Sequence, residues 1–163
     1  MAKGLPQLNA IIKEFTEKVY KPAYSNFTTL VHTGNTDGIS KAAWTLCNPG
    51  DGILVSEWTY PSAMATMIPL GCKMVPVKMD SQGMRSDDLR AILSGWDEAE
   101  RGMPRPHVLY TVPVGQNPTG VTVEYQRKKE IYDICVEFGG FDQNNSRRVK
   151  TDKQDIDVII VED

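Results

Sequence analysis

The sequence predicts an α/β fold, a three-layer α/β/α arrangement with a doubly wound, mainly parallel sheet. Three observations predict it. Short apolar runs alternate with single helical patterns along the chain, and strands separated by one helix pair in parallel, because a right-handed crossover returns the chain to the same end of the sheet. The runs are apolar almost throughout, as strands are when helices cover both faces. And 163 residues, 40% hydrophobic and 24% charged, are one domain's worth of ordinary globular chain, long enough for a real core.

The elements follow in order. Leu8, Ile11, Ile12, Phe15 and Val19 are spaced for one face of a first helix. After Pro22, "FTTLVHTG" reads as a strand and "NTDGISKAAWTLC" as a helix stopped by "NPGD". The strand "GILVSE" comes next, then a helix from about Pro61 to Leu70 and the strand "KMVPVKM". "SDDLRAILSGW" places Ser86 at an N-cap, with Asp87 and Asp88 in the first turn where carboxylates suit the helix dipole. "HVLYTVP" is a strand, and "TVEYQRKKEIYDICVEF" a helix ended by Gly139 and Gly140, with Glu124 four residues before Lys128 on its solvent side. "DVIIVED" is the last strand.

Residues 139–156 break the rhythm with "GGFDQNNSRRVKTDKQDI", far longer than the ~2–6 residues usual between a helix and a strand. This polar insertion is expected to be a solvent-exposed excursion. The competing hypothesis is retained intron sequence, which a transcript encoding these residues would rule out.

Composition narrows the function. A net charge of −3 offers no basic footprint for nucleic acid, and no apolar run approaches the ~18 residues of a membrane span. The N-terminus does not read as a signal peptide, so a cytoplasmic protein is expected. Cys47, Cys72 and Cys135 are widely spaced and read as reduced, buried thiols. Two histidines without clustered carboxylates predict no metal site. His32 and His107 are expected to be satisfied structural histidines, and Trp44, Trp96, Met64 and Met67 helix-packing or core residues.

In open parallel sheets ligands bind beyond the carboxyl ends of the strands. After the first predicted strand, "TGNTDG" opens a helix, and Asn35, Thr36 and the N-terminal N–H groups could hold a phosphate, although an Asn-Thr pair also reads as a plain cap. Tyr60 follows the second strand, where a ring could lie against a flat ligand or simply join the core. Asn117 follows the fourth, set between Gly115 and Pro118, and the last strand ends on Glu162 and Asp163. A carboxylate ending an apolar strand needs a cationic partner if buried. A phosphate cup, an aromatic face, an amide donor and an acid together suit pyridoxal 5′-phosphate. Its phosphate, flat ring, phenolic oxygen and protonated pyridine nitrogen ask for those four groups.

With "YTVPVGQNPTG", "LCNPGDGILVSEWTYPSAMATMIPLGC" and "RKKEIYDIC…VIIVED" on the page, the chain resembles the large domain of fold-type-I pyridoxal-phosphate enzymes. It is most similar to class I/II aminotransferases of the aromatic-amino-acid and 2-aminoadipate/kynurenine branch. The resemblance covers nearly everything outside the 139–156 insertion. By position, it implies that Asn35 and Thr36 bind the cofactor phosphate, that Tyr60 stacks on the ring, that Asn117 donates to the phenolic oxygen, and that Asp163 pairs with the pyridine nitrogen. It also implies amino acid and 2-oxo acid substrates and a homodimer when full length.

Residues 1–163 contain no match for the family's Schiff-base lysine in a Ser-Lys context on a later strand or loop, its second tyrosine at the phenolic oxygen, its carboxylate-binding arginine or its small C-terminal domain. The expectation is therefore a partial cofactor-binding large domain, an inactive fragment with no catalytic residue of its own. Two alternatives share these motifs: the aminotransferase-like ligand-sensing domain of a transcription regulator, and another fold-type-I pyridoxal-phosphate enzyme. A nucleotide-binding α/β domain is disfavoured, because "GNTDG" is neither GxGxxG nor a P-loop.

Overall fold

The computed structural model describes residues 4–23 and 26–139, together with the backbone of 159–162. Two compact units divide at Gly38.

In the first unit, α1 (Pro6–Val19) starts with proline at its first position, where the missing N–H costs nothing. The expected apolar stripe forms, but α1 buries no residue: Leu8, Ile11, Phe15 and Val19 are all exposed. "FTTLVHTG", predicted as a strand, makes no ladder. Its threonines, Phe27, Leu30 and Val31 favour extended backbone, yet a strand exists only where N–H and C=O groups find a neighbouring strand. Leu30 is 49% exposed.

α2 (Asn35–Leu46) leads into the second unit, where the sheet is built. In chain order come β1 (Gly52–Ser56), α3 (Pro61–Met67), β2 (Lys73–Val77), β3 (Met79–Asp80), β4 (Gly83–Met84), α4 (Ser86–Ser94), α5 (Glu98–Arg101), β5 (Val108–Thr111), α6 (Tyr125–Gly139) and β6 (Ile159–Glu162). The predicted strand "KMVPVKM" divides: β2 joins the main sheet, while β3 turns away to pair antiparallel with β4. α3 tightens into a 3₁₀ turn at Ile68–Leu70, which ends on Gly71 at φ 84°.

The main sheet is parallel throughout, in the order β2-β1-β5-β6. Its side chains alternate between two cores. Leu54 of β1 and Leu109 of β5 meet Leu89 and Leu93 of α4 and Ile131, Ile134 and Cys135 of α6 on one face. Ile53, Val55, Val108 and Tyr110 meet Ile39 and Ala43 of α2 and Ala63 and Met67 of α3 on the other. All of β1 is buried. These are the three layers expected, and they explain why period-2 polarity is missing from the strands.

Several finer expectations change. Ser86 does not cap α4; its hydroxyl donates to Glu130 Oε2 at 2.7 Å, and the helix is entered through Arg85. Asp97 is a true N-cap, accepting from the Ala99 and Glu100 N–H groups of α5. Trp44 is 71% exposed, because the buried stripe of α2 runs through Ile39 and Ala43 and the next residue is turned about 100° away. Trp96 packs at the edge of its core and donates to the Met103 carbonyl at 3.2 Å. His107 Nε2 sits 2.8 Å from the Leu46 carbonyl oxygen, and His32 Nδ1 accepts from the Gly34 N–H, so both histidines serve local structure. No helix among the described residues is long and apolar enough to cross a membrane.

Candidate cofactor site

The strand order contains a reversal. From β1 the chain crosses to β2 on one side, then passes to β5 on the other side of β1. The point between β1 and β5 is therefore a topological switch point, and in open α/β folds ligands bind at the carboxyl edge of the sheet at such a point. Tyr60 is on the loop that leaves β1 and Asn117 on the loop that leaves β5.

Tyr60 is placed by the start of α3. Pro61 stands at the first helical position and holds the residue before it extended, at φ −60° and ψ 118°. The Tyr60 carbonyl accepts from the Ala63 and Met64 N–H groups at 3.1 and 3.3 Å, so the backbone is locked while the ring is half-buried against the core that includes Val112.

Asn117 is placed by a hydrogen-bonded turn. After β5 the Pro113 carbonyl accepts from the Val123 N–H at 2.9 Å, Gly115 N–H donates to Thr122 Oγ1 at 3.0 Å, and Gln116 N–H donates to the Val121 carbonyl at 2.8 Å. Gly115 and Gly120 take positive φ, 58° and 73°, to close it. The Asn117–Pro118 peptide is cis. Asn117 is exposed, and among the described residues its side chain has no hydrogen-bond partner.

Between these two loops lies a residue that the sequence did not single out. Gln116 is 3% exposed. Its Nε2 donates to the Trp58 carbonyl, two residues before Tyr60, and its Oε1 accepts from both the N–H (3.0 Å) and the hydroxyl of Thr119. Glutamine is usually a surface residue. The signal available beforehand was its place between Gly115 and the Asn-Pro pair, directly beyond a buried strand.

Asn35 and Thr36 are described within the first unit. They form the exposed first turn of α2, whose leading N–H groups have no acceptor inside the helix. Asp37 accepts from the Thr33 N–H at 3.2 Å, and Gly34, at φ 141°, bends the chain into the helix. Asp163 lies outside the described residues. Glu162 closes β6 opposite Thr111 of β5.

These residues suit pyridoxal 5′-phosphate. In the second unit, an unpartnered amide that can donate and a phenol ring backed by apolar packing suit a flat, hydrogen-bonding ring; in the first unit, taken by itself, a helix N-terminus beside a hydroxyl suits an anion.

Comparison with known proteins gives the family. The family model for aminotransferase class I and II matches residues 2–141. An aromatic amino acid aminotransferase of Schizosaccharomyces pombe is 41% identical over 132 residues, 81% of this chain and 28% of the relative. The mitochondrial kynurenine/alpha-aminoadipate aminotransferase of Mus musculus is 37% identical over 145 residues, 83% of this chain and 34% of the relative. Among solved structures, aminotransferase Aro8 from Candida albicans superposes with a TM-score of 0.77 at 38% identity, over 83% of this chain and 27% of that one. The chain thus spans about a third or less of the length of these relatives. With the fold and these likenesses in agreement, the chain belongs to the class I and II aminotransferases, a family whose cofactor is pyridoxal 5′-phosphate.

Proposed function

We propose that residues 1–163 form part of the cofactor-binding large domain of a transaminase that exchanges an amino group between an aromatic or 2-aminoadipate-like amino acid and a 2-oxo acid. The observation that carries this reading is the switch point between β1 and β5, with the Tyr60 ring on the loop after one strand and the uncommitted Asn117 amide on the loop after the other. The relatives' names supply the substrate class. A cytoplasmic, homodimeric whole protein belongs to the same reading; the 139–156 insertion expected from the sequence lies, after Gly139, outside the described residues.

When bound, pyridoxal 5′-phosphate supplies an electron sink for charge developing at the substrate α-carbon. The residues of this chain would hold it ready. Asn35, Thr36 and the first N–H groups of α2 bind the phosphate, where the helix dipole favours negative charge. Tyr60 lies against the ring and keeps water from one face. Asn117 would donate an Nδ2–H hydrogen bond to the phenolic oxygen, which favours the ionised form of that oxygen. Asp163 keeps a proton on the pyridine nitrogen, which makes the ring a better acceptor of charge. The Ser-Lys pair of residues 1–163, Ser40-Lys41, lies inside α2 and not on a strand or loop beyond the sheet, so this stretch is proposed to bind the cofactor without turning over substrate.

Titration of the chain with pyridoxal 5′-phosphate, followed by intrinsic fluorescence, tests the proposal. Saturable binding is expected, weakened about tenfold or more in Asn117→Ala, since one hydrogen bond to a charged acceptor contributes ~1.5–3 kcal/mol. Absence of saturable binding would overturn the reading. Turnover of an aromatic amino acid with a 2-oxo acid by the 163-residue chain would overturn the binding-without-catalysis part.

A further inference from the structure

A buried glutamine side chain that donates to one loop and accepts from another has a double task. Gln116 Nε2 holds the Trp58 carbonyl, and its Oε1 holds the Thr119 N–H and hydroxyl, so one planar amide joins the loop of Tyr60 to the turn of Asn117. The join is long-range, 58 residues along the chain, and it is buried: Gln116 and Ser56 are the buried polar side chains among the described residues. Each end of the amide is matched, because only an amide offers a donor and an acceptor in one fixed plane at this length. A turn that needed only internal closure would have it already. The bonds from Gln116 N–H to Val121, Gly115 N–H to Thr122 and Val123 N–H to Pro113 span the loop without the Gln116 side chain. What the side chain adds is the tie to Trp58.

We propose that Gln116 is a positioning residue. Its amide fixes the spacing between the loop that carries Tyr60 and the turn that carries Asn117, so that ring and amide address a single flat ligand together. The inference rests on the pyridoxal-phosphate reading and adds to it a residue that touches no cofactor atom.

The consequence is energetic coupling. If the two loops are held in one geometry, Tyr60 and Asn117 bind the cofactor cooperatively, and the losses from Tyr60→Ala and Asn117→Ala are not additive. Without the tie the loops move separately and the losses add. Conservative changes separate the roles of the amide. Gln116→Leu removes donor and acceptor. Gln116→Glu keeps an acceptor for Thr119, but when ionised it has no proton for the Trp58 carbonyl and regains one only when protonated.

The experiment is a double-mutant cycle on the 163-residue chain, with pyridoxal 5′-phosphate affinity as readout, run with Gln116 and again with Gln116→Leu. Amide hydrogen exchange of the cofactor-free proteins runs alongside it. With Gln116 present, the product of the two single-mutant losses is expected to differ from the double-mutant loss by about threefold or more. Gln116→Leu is expected to weaken binding about tenfold, to abolish that difference, and to speed exchange at Thr119 while leaving β1 and β5 amides protected. Gln116→Glu should bind poorly at neutral pH and approach the Gln116 protein as the pH is lowered through the carboxyl titration, each pH compared with Gln116 itself. This readout also covers the case in which the leucine variant fails to fold. The inference is overturned if Gln116→Leu, or Gln116→Glu at neutral pH, keeps the affinity and the coupling of the Gln116 chain while Asn117→Ala lowers affinity. A Gln116 chain that binds no cofactor overturns the underlying reading instead, which distinguishes the two failures.

Discussion

Gly83 shows how much one hydrogen atom can decide. It sits at φ 96°, where a side chain is strained, and a Cβ there would lie 2.7 Å from Val123 Cγ2. Gly102 also has a positive φ, 59°, but open space around it. Gly83→Ala should therefore cost about 2–4 kcal/mol from backbone strain and overpacking together. Gly102→Ala should cost only about 1 kcal/mol, and urea midpoints of the two variants would separate them. The thiols give a second residue-scale prediction. Burial pushes Cys135 from an ordinary 9.0 up to about 12, and burial with neighbouring Cys72 does the same for Cys47. In this window the unfolded chain releases these protons first, so their contribution to stability is intact below about pH 9 and falls as the pH rises towards about 12. Alkylation near neutral pH should be slow for Cys47 and Cys135 until denaturant is added. Tyr60 and Asn117 were legible as candidates because each follows an apolar strand beside proline or glycine. Gln116 was not, since its burial depends on a carbonyl 58 residues earlier, which no local pattern records.

Elements were legible where their partners lie close in sequence. β1, α3 and β2 stand where the apolar runs and Pro61 placed them. The extended run 27–34 and the apolar stripe of α1 show the limit: propensity and period describe what a segment could form, while ladder partners and covering surfaces come from elsewhere. The β3–β4 hairpin was missed for a related reason, because it is held by a side chain from a later helix. Arg127 of α6 donates to Asp80 Oδ2, to Gln82 Oε1 at 3.1 Å and to the Met84 carbonyl at 3.0 Å. Its side chain is 17% exposed, so these bonds are partly shielded from water. Arg127→Met keeps the apolar stem and removes the donors. It should cost about 1–3 kcal/mol in chemical denaturation, and hydrogen exchange should quicken in residues 79–84 before it does in β1. The exposed pair Arg90–Glu137, by contrast, should be nearly silent when removed.

For the whole molecule, the layered fold was readable because burial on both faces leaves a sheet with no polar side to display. Strand order was not readable, since nothing in an apolar run states which neighbour it takes. That order carries a last consequence, and it concerns time. Ile53 pairs with Met74, close behind it in the chain, and also with Val108, much further on. The β1-α3-β2 unit closes a short loop, whereas β5 must close a long one, and long closures come later because they cost more chain entropy before any contact rewards them. Pulse-labelled exchange during refolding should protect β1 and β2 amides before those of β5. Simultaneous protection of all three strands would contradict this order. The switch point, with β1 on one side and β5 on the other, does not exist until that second closure. A ligand bound there cannot guide the early steps; it can only seal the last one, acting as a latch on a finished frame.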